Sequence, residues 1–231
     1  MLLPALSKAR ATARLRTCSG NLRQVGMAVI LYSMDHEDLT VPIDGTFRYM
    51  GGTTKMTWAY YVRSYVGIND SPDLSSQEIY NTPESQRKGV FTCPSCPRAA
   101  GFWNYRYPQY GMLKYYIGGM DPNTGGTYSK GMKMGRIASP SAKAYICDSV
   151  FSTASEANLP VWSQEDTVPM TNYGFYKVTN NGYYASRKRH GNRLNMFFAD
   201  GHIVSMTGAE LSANSKPAYY SSKMFGRDGL N

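Results

Sequence analysis

The sequence has few of the features that transmembrane segments and common enzyme active sites require. No window of about 18 or more apolar residues occurs, so no stretch of it is predicted to cross a bilayer. It contains 3 His and 4 Cys, and it lacks a nucleophile elbow, an HExxH motif, a P-loop and a paired-carboxylate signature. No period recurs along the chain, which excludes coiled-coil, collagen and repeat architectures. The missing catalytic motifs argue against an enzyme.

The remaining composition is that of a folded protein with a basic amino-terminal segment. Of the 231 residues, 42% are hydrophobic and 13% aromatic, enough apolar surface for a core. The formal net charge is +9, and the first 34 residues contain five basic residues and no acidic one. Such a segment can contact anionic lipid, nucleic acid or an acidic partner. We favour a solvated helix face over nucleic-acid binding, because charge runs usually lie on such faces.

Residues 2–34 are predicted to form one long helix. Its apolar or small residues recur every three or four positions and therefore share one face; they are Cys18, Leu22, Val25, Val29 and Tyr32. At 1.5 Å per residue, about 30 residues make a rod of about 45 Å, which exceeds the width of a small domain. We expect the first end, with its apolar leucines, to protrude.

The middle of the chain is predicted to consist of short elements. Residues 57–67 fit a helix that is capped by Thr57 and ended by Gly67. Its inward-facing stripe comprises Trp58, Tyr61, Val62 and Tyr65. Residues 110–117 and 142–147 have strand character. In the second, small and aliphatic residues at 142, 144 and 146 alternate with residues 143, 145 and 147, the pattern of a strand with one buried face.

The carboxy-terminal part contains a hairpin signal. Residues 194–198 and 203–206 are two strand-like runs joined through Asp200 and Gly201, a dipeptide that predicts a type I′ turn. Thr207 and Glu210 then fit a capping box. We interpret Asp200 as the turn residue and His190 as a residue that hydrogen-bonds across the hairpin. A metal or catalytic site is the alternative that we disfavour; it would use His190, Asp200, His202 and Asp148.

The four cysteines do not form a recognisable metal motif in the sequence. Cys93 and Cys96 have the spacing of a zinc knuckle, but no second pair accompanies them, and His190 and His202 lie 12 positions apart. A thioredoxin-like site would need a βαβ frame that the sequence does not show. Cys18 and Cys147 are isolated. We therefore predict no metal site.

Residues 1–42 and the carboxy-terminal motif together resemble the prepilin-type, pseudopilin-like family that carries an H-x9-DG signature. The run Cys18, Asn21–Leu–Arg–Gln–Val–Gly26 matches that family's segment after its membrane helix, and His190, Asp200 and Gly201 occupy the three signature positions. The family's processing motif and most of its apolar helix are not in the sequence, so we expect the chain to be a soluble truncation of a membrane-anchored protein.

This resemblance implies an α+β, type IV pilin-like fold with a long amino-terminal helix packed on an antiparallel sheet. Residues 1–36 would be the stem, and residues 37–231 would be the head. The protein would be a non-catalytic subunit of a type II secretion or type IV pilus-like filament, single-pass in the inner membrane with a periplasmic head. Its partners would be other pseudopilin subunits and membrane components of the secretion system. The residues expected to contact neighbouring subunits are Lys8, Arg10, Arg14 and Arg16.

The resemblance also bears on the cysteines and on cofactors. An extracytoplasmic protein with four cysteines is expected to contain one or two disulfides among Cys18, Cys93, Cys96 and Cys147. The family's pattern implies that Cys18 bridges to Cys93 or to Cys96. No cofactor is expected, with calcium as the alternative that major pseudopilins suggest.

The alternative function is an extracytoplasmic binding module of the minor-pilin type, which would hold DNA or polysaccharide. Its support is a mixture of aromatic and basic residues typical of single-strand binders: Tyr183, Tyr184, Arg187, Lys188 and Arg189. No recognised nucleic-acid motif accompanies them, so we favour an ordinary loop and disfavour a nucleic-acid partner.

Overall fold

The structure is a computed structural model, and it describes residues 2–42, 44–49, 52–68, 89–95, 109–113, 116–119, 131–137, 139–150, 167–168, 184–186, 190–191, 193–207 and 210. Its helices and strands, in chain order, are α1 (Leu2–Asp35), β1 (Asp44–Tyr49), β2 (Gly52–Thr57), α2 (Trp58–Val62), β3 (Tyr110–Met112), β4 (Ala144–Val150), β5 (Thr167–Val168), β6 (Tyr184–Ser186), β7 (Arg193–Phe198) and β8 (Ile203–Thr207).

The predicted amino-terminal helix is confirmed as α1, which has 34 residues. All five residues of its predicted apolar stripe are buried, from Cys18 to Tyr32. Residues 3–17 are exposed except for the half-buried Leu15, and Leu3 is 81% exposed. We call residues 3–17 the projecting segment. The helix therefore has a packed half and a projecting half, as its length predicted.

A glycine allows the packed half of α1 to lie directly on the sheet. A Cβ atom at Gly26 would fall 2.2 Å from Cε2 of Phe197 on β7, far inside normal contact distance. Gly20, in contrast, faces open space. The ring of Phe197 thus occupies the position that any side chain at Gly26 would need.

The chain leaves α1 through a tight, left-handed turn. Glu37 and Asp38 have φ values of 54° and 64°, a conformation that costs energy in residues with a Cβ. The turn is held because the Asp38 N–H donates to the Ser33 carbonyl at 2.9 Å. Beyond it, the Thr40 N–H donates to the Met132 carbonyl at 2.7 Å, so the helix exit docks on residues 131–137.

In the part of the chain that the structure describes, the main sheet has the strand order β5-β6-β4-β7-β8, and β3 also pairs with β4. Its strand pairs are all antiparallel. Strands β1 and β2 form a separate antiparallel hairpin. The packed half of α1 contacts β7 and β4. A long helix on an antiparallel sheet confirms the α+β class.

Strand β4 is buried on both faces, which corrects the predicted alternation. Tyr145 and Cys147 are as fully buried as Ala144 and Ile146. Helix α1 contacts this strand, and the chain directly after α1 also reaches it, since the Val41 N–H donates to the Tyr145 hydroxyl at 3.2 Å.

The β7–β8 hairpin is confirmed, but its predicted turn type is wrong. Gly201 has a φ of 94°, whereas Asp200 is not among the described residues with positive φ, so a type I′ turn is excluded. The Gly201 N–H donates to the Phe198 carbonyl at 2.9 Å, and Phe198 pairs with His202. This is a three-residue loop that needs positive φ only at its glycine.

The capping box after β8 is confirmed by reciprocal hydrogen bonds. The Thr207 N–H donates to Glu210 Oε2 at 2.6 Å, and the Glu210 N–H donates to the Thr207 hydroxyl at 3.2 Å. Both orphan N–H groups of the turn are thereby satisfied.

The predicted elements in the middle of the chain are shorter than expected. The helix predicted at 57–67 is α2 followed by a 3-10 turn, Ser64–Val66, and Gly67 ends it with a φ of 79°. Thr57 belongs to β2. The strand predicted at 110–117 ends at Met112. Within the described residues, none of the helices combines the length and apolar character that a membrane span needs.

Candidate functional site

Four ligand-type side chains from four separate segments meet beneath α1. Their sulfur, carboxylate and imidazole atoms all lie within 4.8 Å of one another. We call this set the Cys–Asp–His cluster; its members are Cys18, Cys93, Asp148 and His190.

Each segment places its residue for a local reason. Cys18 lies on the buried stripe of α1, and Asp148 lies on the central strand β4. Cys93 follows the buried Phe91, and its N–H donates to Gln109 Oε1 at 2.5 Å. His190 lies in the turn before β7, where its own N–H donates to the Arg193 carbonyl at 3.3 Å.

Asp148 is the centre of the cluster. Its Oδ1 accepts a hydrogen bond from Cys18 Sγ at 3.2 Å, and its Oδ2 lies 3.3 Å from His190 Nε2. The Asn195 N–H of β7 also donates to Oδ2, at 2.7 Å. His190 Nε2 lies 3.5 Å from Cys93 Sγ. The fully buried carboxylate is therefore held by groups from α1, from β7 and from the turn before β7.

A tyrosine closes the cluster on the side of the helix. Tyr110 is buried on β3, and its hydroxyl lies 3.4 Å from Cys18 Sγ and donates to the Cys18 carbonyl at 3.2 Å. Next to it, Asn21 Nδ2 donates to the Thr92 carbonyl at 2.9 Å. These bonds join α1 to β3 and to the turn that carries Cys93.

Burial and neighbouring groups change the acidity of the cluster. Burial raises the pKa of the Cys18 thiol well above its usual value, and contacts with Cys93 and Asp148 raise it further. Burial also raises the pKa of Tyr110. For His190, burial by itself would lower the pKa, but the hydrogen bonds to Asp148 and Cys93 outweigh it and raise the pKa to about 9. At neutral pH the metal-free cluster thus contains a neutral Cys18 thiol and an imidazolium beside a carboxylate.

The structure brings two of the four cysteines together without a disulfide. Cys18, Cys93 and Cys147 are all thiols, so Cys18 forms neither of its two predicted bridges, to Cys93 or to Cys96, although the sulfurs of Cys18 and Cys93 lie within 4.8 Å of each other. Cys18 Sγ instead contacts Asp148 and Tyr110. Cys147 is buried beside the cluster and donates to the Asp148 carbonyl at 3.3 Å. Cys96 lies outside the described residues.

The residues of the H-x9-DG motif separate into two places. His190 and Asp200 lie at opposite ends of β7, so the disfavoured set of His190, Asp200, His202 and Asp148 does not form one site. Asp200 Oδ1 pairs with His202 Nδ1 at 2.5 Å. Partial burial would raise the pKa of Asp200, but the bonds to His202 lower it. The His190 side chain turns to Asp148 and Cys93, which corrects the prediction that it bonds across the hairpin.

The predicted subunit contacts lie on the projecting segment. Its basic residues form no ion pair with a described residue; they are Lys8, Arg10, Arg14 and Arg16, all exposed. Of the proposed aromatic and basic binding residues, only the backbone of Tyr184 is described, in β6. The other four, Tyr183, Arg187, Lys188 and Arg189, lie outside the described residues, so the binding-module alternative stays a prediction.

Comparison of the chain with models of protein families, with curated proteins and with solved structures finds no match. The Cys–Asp–His cluster therefore stands on its own geometry. Sequence reasoning grouped Cys18 with Cys93, and His190 with Asp148, but did not join the two pairs. No local pattern in the sequence joins them, because the four residues lie in four separate segments of the chain.

Proposed function

We propose that the protein is a non-catalytic, pilin-like structural subunit whose projecting segment packs against neighbouring subunits of a filament. The observation that carries the proposal is the division of α1 into a packed half and an exposed half. An isolated helix as short as the projecting segment is only marginally stable in water, and this segment makes almost no tertiary contact with the described residues. Contacts with other chains would supply them.

The chemistry of the projecting segment supports assembly rather than mere solvation. Leu3 and Leu6 are 81% and 49% exposed on the same helix that carries the exposed basic residues. Apolar side chains would gain burial against neighbouring helices, and the bases would pair with acidic groups on those neighbours.

A second exposed apolar stripe lies on the outer face of the packed half. Met27, Leu31 and Met34 are 44%, 43% and 73% exposed. They are spaced by four and three positions, so they form one row on the side of α1 that faces away from the sheet. Together with Leu3 and Leu6, this row gives α1 exposed apolar surface near both of its ends. A stem helix in the middle of a filament needs such surface.

Charge reversal on the projecting segment tests the proposal. Replacing Arg10, Arg14 and Arg16 by Glu is expected to remove the protein from sheared filament fractions of the producing cells, because three attractive contacts become repulsive. The matched control replaces the same residues by Lys, which keeps the charge and is expected to assemble. Both variants are expected to melt like the parent protein, since these side chains are exposed. Unchanged incorporation of the Glu variant would contradict the proposal.

Membership of the pseudopilin-like family, an inner-membrane anchor and a periplasmic head are parts of the same proposal, and they rest on the sequence resemblance. Photo-crosslinking tests them together with assembly. A crosslinking residue at Leu6 is expected to give adducts with other copies and with secretion-system components in the membrane fraction. The same residue at the exposed Ser141 on the head serves as the comparison. The absence of any crosslinked adduct from position 6 would contradict the proposal.

A further inference from the structure

We propose that the Cys–Asp–His cluster binds one zinc(II) ion, which fastens α1 to the sheet and to the turn around Cys93. Two sulfurs, one imidazole nitrogen and one carboxylate form a zinc ligand set. Calcium takes six to eight oxygen ligands, and this cluster offers one carboxylate. Because protein groups would fill all four positions, the site is closed, and its role is structural rather than catalytic.

The spacing of the donors supports a tetrahedral ion. Zinc–nitrogen bonds of about 2.0 Å and zinc–sulfur bonds of about 2.3 Å place neighbouring ligand atoms about 3.3–3.8 Å apart. The observed separations are 3.5 Å between Cys93 Sγ and His190 Nε2, and 3.3 Å between His190 Nε2 and Asp148 Oδ2. Cys18 Sγ lies 3.2 Å from Asp148 Oδ1. Three separations therefore match such a tetrahedron, the two to Asp148 through different carboxylate oxygens, and the ligand atoms of all four residues lie within 4.8 Å of one another.

The alternative to a metal site is a disulfide between Cys18 and Cys93. The groups around the two sulfurs favour the metal. A disulfide would remove the thiol hydrogen that Cys18 donates to the buried carboxylate of Asp148. It would also leave His190 Nε2 facing a sulfur that no longer binds a proton or a metal. A zinc ion uses all four groups, and both sulfurs bind it as thiolates after releasing their protons.

Two of the ligands are held in place by residues that would not bind the ion themselves, as is usual in metal sites. The Asn195 N–H fixes Asp148 Oδ2, and the Tyr110 hydroxyl lies against Cys18 Sγ. Both groups are buried, on two strands of the main sheet. The ligands from α1 and β4 are therefore oriented before the ion arrives.

Metal titration of the full chain tests the inference. Protein purified under reducing, oxygen-free conditions is stripped with a chelator and titrated with Zn²⁺ and, in parallel, with Co²⁺. We expect one ion per chain and a higher melting temperature with zinc. We expect cobalt to give the intense visible bands of a tetrahedral site and a sulfur-to-cobalt charge-transfer band.

Variants then assign the ligands. Cys18→Ser and His190→Ala are expected to lose the tight site, and Tyr110→Phe is expected to weaken it by about 10-fold or more because it removes a positioning group. Cys147→Ser is the matched control, since Cys147 is a buried thiol beside the cluster but is not part of it. It is expected to keep one ion per chain.

The inference would be overturned if the stripped wild-type protein bound no zinc, or if its cobalt spectrum lacked the sulfur-to-cobalt band. It would also be overturned if mass spectrometry found a Cys18–Cys93 disulfide in protein isolated without reductant. A requirement for Ca²⁺ in place of Zn²⁺ would overturn it as well. All of these are measured on the wild-type chain, so a variant that fails to fold does not affect them.

Discussion

Replacing Gly26 by alanine tests the contact that sets the distance between α1 and the sheet. The new Cβ would lie 2.2, 2.3 and 2.5 Å from three carbon atoms of the Phe197 ring. Carbon atoms normally pack about 3.5–4.0 Å apart, so the helix or the ring must move by more than about 1 Å. Overpacking of this kind costs about 1–3 kcal/mol. Alanine recovers about 0.5–1 kcal/mol through its better helix propensity.

The overpacking cost less this gain leaves a net loss of about 0–2.5 kcal/mol in the free energy of unfolding. For a chain of this size, that loss lowers the melting temperature by up to about 10 °C. Gly20→Ala is the matched control, because a Cβ there meets nothing within 4 Å. It is expected to raise the free energy of unfolding by about 0.5–1 kcal/mol. Urea and thermal melts followed by circular dichroism measure both changes.

A double-mutant cycle identifies the clash. Adding Phe197→Leu to Gly26→Ala removes the ring carbons that the new Cβ would meet. The two substitutions together should therefore cost less than the sum of the single changes, by about 0.5–3 kcal/mol. If Gly26→Ala is as stabilising as Gly20→Ala, or if the cycle shows no coupling, then α1 does not lie against β7 as described.

Three further predictions concern single residues. Glu37→Gly should raise the free energy of unfolding by about 0.5–1 kcal/mol, because Glu37 has a φ of 54°, which glycine adopts without strain. Glu37→Ala keeps a Cβ and should bring no such gain. Equal free energies of unfolding for the two variants would contradict the strained turn. Asp148→Asn in the metal-free protein should lower the free energy of unfolding by about 3–5 kcal/mol, because it leaves His190 without its buried counter-charge. Asp200→Asn removes a more exposed partner, that of His202, and should lower it by about 0–1 kcal/mol. Similar losses in the two variants would contradict this prediction. The pKa of Glu210 is lowered by its bonds to Thr207, so its contribution is present above the usual pKa of a glutamate and is lost as the pH falls through the lowered value. Glu210→Gln should therefore destabilise near pH 7 and match the wild type in acid, and a pH-independent difference in chemical melts would refute this.

The sequence predicts the long helix well because its period is local. The positions of Cys18, Leu22 and Val25 decide which face is buried, and the structure buries them. The reciprocal bonds of Thr207 and Glu210 were predictable for the same reason, since both partners lie within one turn. Local patterns of this kind do not depend on the rest of the fold.

The errors arise where distant parts of the chain decide the outcome. Alternation in β4 suggested one exposed face, but the chain after α1 returns to cover Tyr145. The Asp200–Gly201 pair predicted a hairpin correctly, yet the extra residue Ala199 in the loop removed the need for positive φ at Asp200. Neither the burial of β4 nor the type of the hairpin turn can be predicted from the local sequence pattern.

Sequence motifs do not predict the Cys–Asp–His cluster, for a related reason. Metal motifs are recognised when their ligands are spaced closely along one segment. Here Cys93 has only one close cysteine neighbour in the sequence, Cys96, and the nearest ligands in space come from α1, β4 and the turn before β7. Antiparallel pairing of β4 with β7, and the packing of α1 on both, create the site.

The position of Cys18 links the cluster to the stem. From residue 3 onward it is the first fully buried residue of α1, so the cluster lies where the projecting segment ends and the packed half begins. Farther along, α1 is held by β7 through Gly26 and Phe197, which need no metal. Removing zinc should therefore increase amide hydrogen exchange around residues 15–22, because those amides lose the tether at Cys18, while residues 25–32 stay protected. Mass spectrometry of peptides from the zinc-loaded and chelated protein measures the difference. Equal protection in both states would show that the cluster does not hold the helix, and loss along all of α1 would show that the contact with β7 depends on the metal.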